Sequence, residues 1–121
     1  MAGARICVAD DDPVLGSVLS EDLQACGYTV HVVSNGEDAI TQLKEYPFDV
    51  AILDIRMPKV DGFGVLKFIK EQKPDIKVIM LTAFADLRHS VMSKEYGADD
   101  FMSKPYDFEM LRLTIERLVT K

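Results

Sequence analysis

Four aspartates stand at the ends of two strongly apolar runs of this chain. Asp10, Asp11 and Asp12 directly follow the segment ICVA, and Asp54 directly follows the segment VAIL. Neighbouring carboxylates repel one another by about 1 kcal/mol in water, and by more where water is excluded. We therefore expect these acidic residues to bind a cation.

The charges of such a site balance when one divalent cation is bound. Asp10, Asp11 and Asp54 contribute three negative charges, and Lys104, in the segment SKP, contributes one positive charge. Hard oxygen ligands suit Mg²⁺ or Mn²⁺, whereas zinc favours His or Cys. Such a metal, next to a lysine and the hydroxyl group of Thr82, is typical of phosphoryl transfer, whose transition state spreads negative charge over peripheral oxygens.

Asp54 is the candidate nucleophile because it is the isolated acid of the group. Formation of an aspartyl phosphate is an established form of covalent catalysis. Each residue alone has a plainer explanation: the aspartate triplet as a solvated loop or helix cap, Thr82 as a strand-end hydroxyl, and Lys104 as a surface lysine. Their joint placement favours function.

Strands and helices alternate in the predicted structure. Five short apolar runs predict strands at 6–9, 29–33, 50–53, 77–81 and 100–102. The helical patterns between and after them run from Pro13 to Gly27, from Gly36 to Tyr46, from Gly62 to before Pro74, from Asp86 to Tyr96 and from Asp107 to the end. Strands that are apolar on both faces, joined by helices, predict a doubly wound parallel sheet of the α/β class.

The first predicted helix begins at an Asp12 cap and a Pro13 in its first turn. Its apolar residues at helical spacing should share one buried face; they are Val14, Leu15, Val18, Leu19 and Leu23. The fourth predicted helix has little apolar periodicity, so we expect it to be the least firmly packed.

The predicted sheet should bring the chemically interesting residues together. In doubly wound sheets the ligand lies at the carboxyl ends of the strands. The first strand ends at the aspartate triplet and the third at Asp54, while the fourth ends at Thr82 and the fifth at Lys104. These side chains should therefore meet at one edge of the sheet.

Four segments in order carry a family resemblance: VADDDP, LDIRMPKVDGFGVL, VIMLTAF and GADDFMSKPYD. Together they resemble the receiver domain of two-component response regulators. The resemblance implies a single domain over residues 1–121 with a flavodoxin-like strand order 2-1-3-4-5, flanked by five helices. It also implies that Asp10 and Asp11 are the metal-binding acid pair and Asp54 the phosphoacceptor, which leaves Asp12 as the helix cap.

The same resemblance assigns roles to further residues. The backbone carbonyl of Arg56 is the implied third protein ligand to the metal, and Thr82 is the implied switch hydroxyl. Phe101 matches the aromatic switch, where tyrosine is commoner, and it lacks the tyrosine hydroxyl. The bond between Lys104 and Pro105 is expected to be cis, as it often is in this family.

The implied function is a phosphorylation-dependent signalling switch rather than a conventional enzyme. A sensor histidine kinase or a phosphotransfer protein would donate the phosphoryl group. The surface formed by the fourth helix, fifth strand and fifth helix would then change and bind a second copy or an output domain. Arg56 and Phe84 would line the entrance for the water that removes the phosphoryl group. LDIRMP and LTAF are also similar to receivers attached to ATPase transcription activators, so we expect a longer natural regulator.

Composition excludes several other classes. A net charge of −6 argues against direct binding to nucleic acids or to anionic membrane surfaces. No apolar run approaches the roughly 20 residues that span a bilayer, so a cytoplasmic location is expected. Cys7 and Cys26 form neither a metal-binding spacing nor a disulfide framework.

Three rival functions fit the sequence less well. A haloacid-dehalogenase-like phosphatase has a second aspartate two residues after its nucleophile, where this chain has Arg56. A flavodoxin-like cofactor binder needs hydroxyl or glycine groups after the first strand, where the carboxylates here would repel phosphate. A pseudo-receiver would lack one of the key groups, and all are present.

Overall fold

Strands and helices alternate through the part of the chain that the computed structural model describes, which is residues 3–83 and 86–120. The elements are β1 (Arg5–Ala9), α1 (Pro13–Ala25), β2 (Thr29–Val33), α2 (Gly36–Glu45), β3 (Val50–Leu53), α3 (Gly62–Gln72), β4 (Lys77–Thr82), α4 (Leu87–Glu95), β5 (Asp100–Ser103) and α5 (Phe108–Val119). All strand pairs are parallel, in the order β2-β1-β3-β4-β5. The predicted doubly wound, flavodoxin-like α/β fold is thereby confirmed.

Side-chain caps set the start of each helix in the described residues. The capping residues are Asp12, Asn35, Asp61, Asp86 and Asp107. Asp12 accepts the backbone N–H of Val14 at 3.0 Å, and Pro13 occupies the first turn of α1. The third aspartate of the triplet is therefore a helix cap, as predicted.

The hydrophobic core lies on both faces of the sheet. Every residue of β3 is buried because helices cover this strand on both sides. One face packs against α2 and α3 through residues that include Leu43, Leu53, Leu66 and Met80. The other packs against α1 and α5 through residues that include Val8, Leu19, Ile79 and Leu111. Both layers hold the carboxyl ends of the strands in place.

The predicted apolar face of α1 is wrong at two positions. Val14 and Val18 are 72% and 47% exposed, whereas Leu19 and Leu23 are buried. At about 100° per residue, Val14 and Val18 lie opposite the line through Leu19 and Leu23. The buried line is completed by Gly16, which sequence reasoning did not include.

The prediction for α4 is consistent with its burial. Within the described residues of this helix, Ser93 is the buried one, while Leu87 and Val91 are exposed. With few buried side chains, α4 has less tertiary packing to hold it than the other helices have. No helix in the described residues combines the length and apolarity needed to cross a membrane.

Candidate metal-binding site

Backbone hydrogen bonds fix two acidic residues at the carboxyl edge of the sheet. Asp10 directly follows β1 and donates its N–H to the carbonyl of Val33 at 3.0 Å. Asp54 directly follows β3 and donates its N–H to the carbonyl of Ala9, also at 3.0 Å. Because β1 and β3 are adjacent strands, their terminal acids lie side by side.

Three carboxylates converge at this edge. Asp10, Asp11 and Asp54 each offer an oxygen, and these oxygens lie within 4.8 Å of one another. Asp10 and Asp54 are buried, with about 5% of each residue exposed, and Asp11 is exposed. This all-oxygen donor set is the kind that Mg²⁺ and Mn²⁺ prefer.

Lys104 joins the two buried acids. Its Nζ lies 2.6 Å from Oδ2 of Asp10 and 2.9 Å from Oδ2 of Asp54. The backbone N–H of Lys104 donates to the carbonyl of Thr82 at 2.9 Å, which ties the lysine to the end of β4. The peptide bond to Pro105 is cis, as expected. With Asp11 included, the cluster keeps a net charge of −2, which one divalent cation would neutralise.

The second carboxylate oxygen of Asp54 is available for a ligand. In the part of the chain that the structure describes, Oδ1 of Asp54 is buried and has no hydrogen-bond partner. Such an atom is unfavourable in a native protein unless something else binds it. The donor set and this oxygen together fit a hard divalent cation or a phosphoryl group.

The pKa values reflect the burial of the site. Burial raises the pKa of Asp10, and hydrogen bonds from Lys104 and from the N–H of Asp12 only partly oppose this effect. The neighbouring charge of Asp54 raises it further. Burial alone would lower the pKa of Lys104, but its hydrogen bonds to Asp10 and Asp54 raise it overall. Lys104 therefore stays charged, while Asp10 gains from an additional cation.

The remaining predicted residues lie at different depths around this cluster. Thr82 is fully buried at the end of β4. Arg56 is exposed on the loop after β3, two residues beyond Asp54. Phe101 is half-buried on β5 and packs against the core cluster that also includes Met92 of α4. Phe84 lies outside the described residues.

Sequence reasoning missed the shape of the loop over residues 55–61. Lys59 has a φ of 72°, and the N–H of Val60 donates to the carbonyl of Pro58 at 2.9 Å, so these residues form a strained γ-turn. The loop then meets Gly62, where an added Cβ would lie 2.1 Å from the carbonyl oxygen of Asp54. The sequence predicted a helix start at Gly62 but not this geometry.

The chain is similar to known proteins over nearly its whole length. A family model described as response regulator receiver domain matches residues 6–116. The transcriptional regulatory protein ZraR of Salmonella typhimurium is 38% identical over 112 residues, which are 93% of this chain and 25% of that protein. The DNA-binding transcriptional regulator NtrC of Proteus hauseri is 36% identical over 120 residues, which are 99% of this chain and 25% of that protein. This chain thus spans about a quarter of the length of both regulators.

Among solved structures, the BeF3-activated DrrB receiver domain has a TM-score of 0.90 to this chain at 34% identity, and the match covers 100% of each chain. The non-phosphorylated receiver domain of HemR from Leptospira biflexa has a TM-score of 0.89 at 29% identity and covers 98% of this chain and 95% of that one.

Proposed function

The chain belongs to the response regulator receiver domain family, and we propose that it is a signalling switch that accepts a phosphoryl group on Asp54, with residues 1–121 acting as one receiver domain. One observation supports this choice of acceptor above all others. Oδ2 of Asp54 is bonded to the ammonium of Lys104, while Oδ1 is buried with no partner among the described residues. This oxygen has no competing hydrogen bond from the described residues, and we propose that it forms the bond to phosphorus once the site opens to the donor.

Receiver domains bind Mg²⁺ through acidic residues, and the group of Asp10, Asp11 and Asp54 supplies them here. We propose that these carboxylates and the backbone carbonyl of Arg56 hold Mg²⁺, or Mn²⁺ in its place. When bound, the cation neutralises negative charge on the phosphoryl oxygens in the transition state. The protein residues hold their positions through the backbone bonds that end β1 and β3.

The proposed phosphoryl donor is a phosphohistidine of a sensor histidine kinase or a phosphotransfer protein. A carboxylate oxygen of Asp54 attacks phosphorus as the phosphorus–nitrogen bond breaks, and the histidine nitrogen keeps the bonding electron pair. The ammonium of Lys104 lies beside Asp54 and is placed to bind a phosphoryl oxygen. In this way the domain assists its own phosphorylation and dephosphorylation without being a conventional enzyme. We propose a cytoplasmic location for it.

The signal would pass from Asp54 to the face formed by α4, β5 and α5. The hydroxyl of Thr82 and the ammonium of Lys104 move toward the new phosphoryl oxygens. Phe101, three residues before Lys104, then repacks beneath the weakly packed α4. The result is a shift between existing conformations. Exposed apolar residues on this face suit a second copy or an output domain; they are Val91, Met110 and Leu113.

Intact-mass measurement tests the assignment of Asp54. After incubation with acetyl phosphate and Mg²⁺, we expect one added phosphoryl group on the wild-type protein, none on Asp54→Asn, and suppression by a chelator. Asp12→Asn is the matched control, because it removes a nearby charge from a helix cap and should still be phosphorylated. An unmodified wild-type protein, or a modified Asp54→Asn variant, contradicts the proposal.

Amide hydrogen exchange tests the route of the signal. The Thr82→Ala variant should accept the phosphoryl group, yet exchange in α4 should no longer change upon phosphorylation. If α4 responds in this variant as it does in the wild type, the proposed role of Thr82 is wrong while the phosphoacceptor assignment stands.

A further inference from the structure

The loop over residues 55–61 carries the carbonyl of Arg56, and its neighbour on the outer side is the first turn of α2. A Cβ built on Gly36 would lie 1.9 Å from the carbonyl oxygen of Val60 and 2.7 Å from its Cβ. The loop backbone therefore rests directly on the Cα of Gly36. The two residues are far apart in sequence, so this is a tertiary contact.

Space, not backbone conformation, explains the glycine at position 36. Among the described glycines, those with a left-handed φ are Gly3, Gly27 and Gly97. Gly36 is the first residue of an ordinary helix that Asn35 caps by accepting the N–H of Asp38 at 2.7 Å. Any other residue at position 36 would collide with the loop.

A second contact joins the same two segments. Nζ of Lys59 lies 3.5 Å from Oε1 of Glu37, and both side chains are more than half exposed. An exposed ion pair of this kind contributes little by itself. Together with the contact between Gly36 and Val60, it shows that two neighbouring residues of α2 contact two neighbouring residues of the loop.

The loop has little freedom to absorb a push at Val60. On its inner side, Ile55 and Met57 are buried in the core. Pro58 has a φ fixed by its ring, and the N–H of Val60 closes the γ-turn onto the carbonyl of Pro58. We therefore expect a displacement of Val60 to shift the loop backbone as far as Arg56.

We propose that Gly36 is a positioning residue for the metal site: by leaving room for the Val60 carbonyl, it lets α2 set the position of the loop that carries the Arg56 carbonyl. The inference rests on the function proposed above. Mg²⁺ accepts only near-octahedral ligands at about 2.0–2.1 Å, so a small displacement of one ligand matters. Changes to residues that orient metal ligands typically cost about 10–100-fold in metal affinity.

Two glycine variants separate this role from general packing. Gly36→Ala pushes on the backbone of Val60, whereas Gly64→Ala pushes on the Cγ1 methyl of the same residue, 2.6 Å away, which can turn aside. We expect the Mg²⁺ dissociation constant, measured by calorimetry, to rise about tenfold or more in Gly36→Ala. In Gly64→Ala it should change less than about twofold, since a side-chain rotation absorbs the push.

Hydrogen exchange of the metal-free protein gives an independent measurement. The amides of Val60 and Gly62, which bond within the loop, should exchange faster in Gly36→Ala, while amides of β1 and β3 should not. A Gly36→Ala variant that binds Mg²⁺ like the wild type, however unstable it is, overturns the proposal. A wild-type protein that binds no Mg²⁺ instead overturns the proposed function, so the two failures are distinguishable.

Asn35 provides a second test should Gly36→Ala fail to fold. Asn35→Ala removes the cap and loosens the first turn of α2, while Asn35→Ser keeps a capping oxygen, and neither changes the charge. We expect weaker Mg²⁺ binding and faster exchange at Val60 in Asn35→Ala, with both restored in Asn35→Ser. If Asn35→Ala loses stability but keeps the wild-type Mg²⁺ affinity, α2 does not position the loop.

Discussion

Replacing Asp11 by asparagine should stabilise the metal-free protein and remove most of its response to Mg²⁺. Asp11, Asp10 and Asp54 bring their oxygens within 4.8 Å of one another. Lys104 forms its salt bridges with the two buried acids, Asp10 and Asp54. Asp11 therefore adds a negative charge to a group that already has a net negative charge.

Coulomb's law gives the size of the effect. The charges of Asp10, Asp54 and Lys104 sum to −1, and Asp11 faces that net charge across about 5 Å. The repulsion is about 1 kcal/mol in water and about 3 kcal/mol at an effective dielectric constant of 20. Asp11 is exposed, so we take the lower figure and expect Asp11→Asn to raise the free energy of unfolding by about 1 kcal/mol.

Mg²⁺ should reverse this order of stability. At a hundred times its dissociation constant, a ligand that binds only the native state stabilises it by about 2.7 kcal/mol. The wild type should gain this amount, and Asp11→Asn, which lacks one carboxylate ligand, should gain much less. In excess Mg²⁺ the wild type should thus become the more stable protein.

Urea unfolding in chelator and in Mg²⁺, at one constant ionic strength, measures both effects. Asp12→Asn is the matched control, since it removes the adjacent charge but keeps a good helix cap. Its stability should stay within about 0.5 kcal/mol of the wild type, with the full Mg²⁺ response. The reasoning is refuted if Asp11→Asn is less stable than the wild type in chelator, or if it responds to Mg²⁺ as the wild type does.

Three further predictions follow from the same structure. Lys104→Met should lower the free energy of unfolding of the metal-free protein, measured in urea, by about 3 kcal/mol, because two buried carboxylates lose their ammonium partner. A stability equal to the wild type would show that the bridge contributes nothing. Burial raises the pKa of Asp10, so the native state binds this proton more tightly than the unfolded state does. As the pH falls from 7 toward that pKa, the metal-free wild type should gain stability relative to Asp10→Asn, and the wild type should bind Mn²⁺ more weakly. A stability difference between the two proteins that does not change with pH would contradict the raised pKa of Asp10. Burial raises the pKa of the Cys7 thiol to about 12, whereas Cys26 is exposed. Mass spectrometry after treatment with iodoacetamide at pH 8 should therefore find only Cys26 alkylated in the folded protein and both thiols alkylated in urea. Rapid alkylation of Cys7 in the folded protein would contradict this.

The sequence predicted the strands and helix starts well because local chemistry determines them. The strands predicted at 29–33 and 50–53 have those same bounds in the structure. Asp12, the predicted cap of α1, acts on the next few amides, so its role is visible in a short window. The meeting of Asp10 and Asp54 likewise followed from one rule about parallel sheets.

The features that the sequence did not supply depend on contacts between distant segments. Val14 and Val18 are apolar at helical spacing, but their exposure depends on how α1 is rotated against the sheet. Gly36 is in an ordinary helical position, and its close approach to Val60 exists only because α2 and the loop pack together. Oδ1 of Asp54 has no hydrogen-bond partner among the described residues because Lys104, from another strand, binds the other oxygen.

The proposed switch places its fixed and movable parts on neighbouring elements. The acids are held by strand-end hydrogen bonds on β1 and β3, in which residues 6–9 and 50–53 are all buried. The helix α4, which follows the adjacent strand β4, has little buried surface. When Asp54 is phosphorylated, the acids proposed to hold the metal would therefore keep their positions, and the rearrangement of Thr82 and Lys104 would be taken up by α4. Because α4 has few buried side chains, a movement of this helix should cost little packing energy. Under the proposed mechanism, the charged hydrogen bonds of a phosphorylated Asp54, about 1.5–3 kcal/mol each, would then suffice to shift the population.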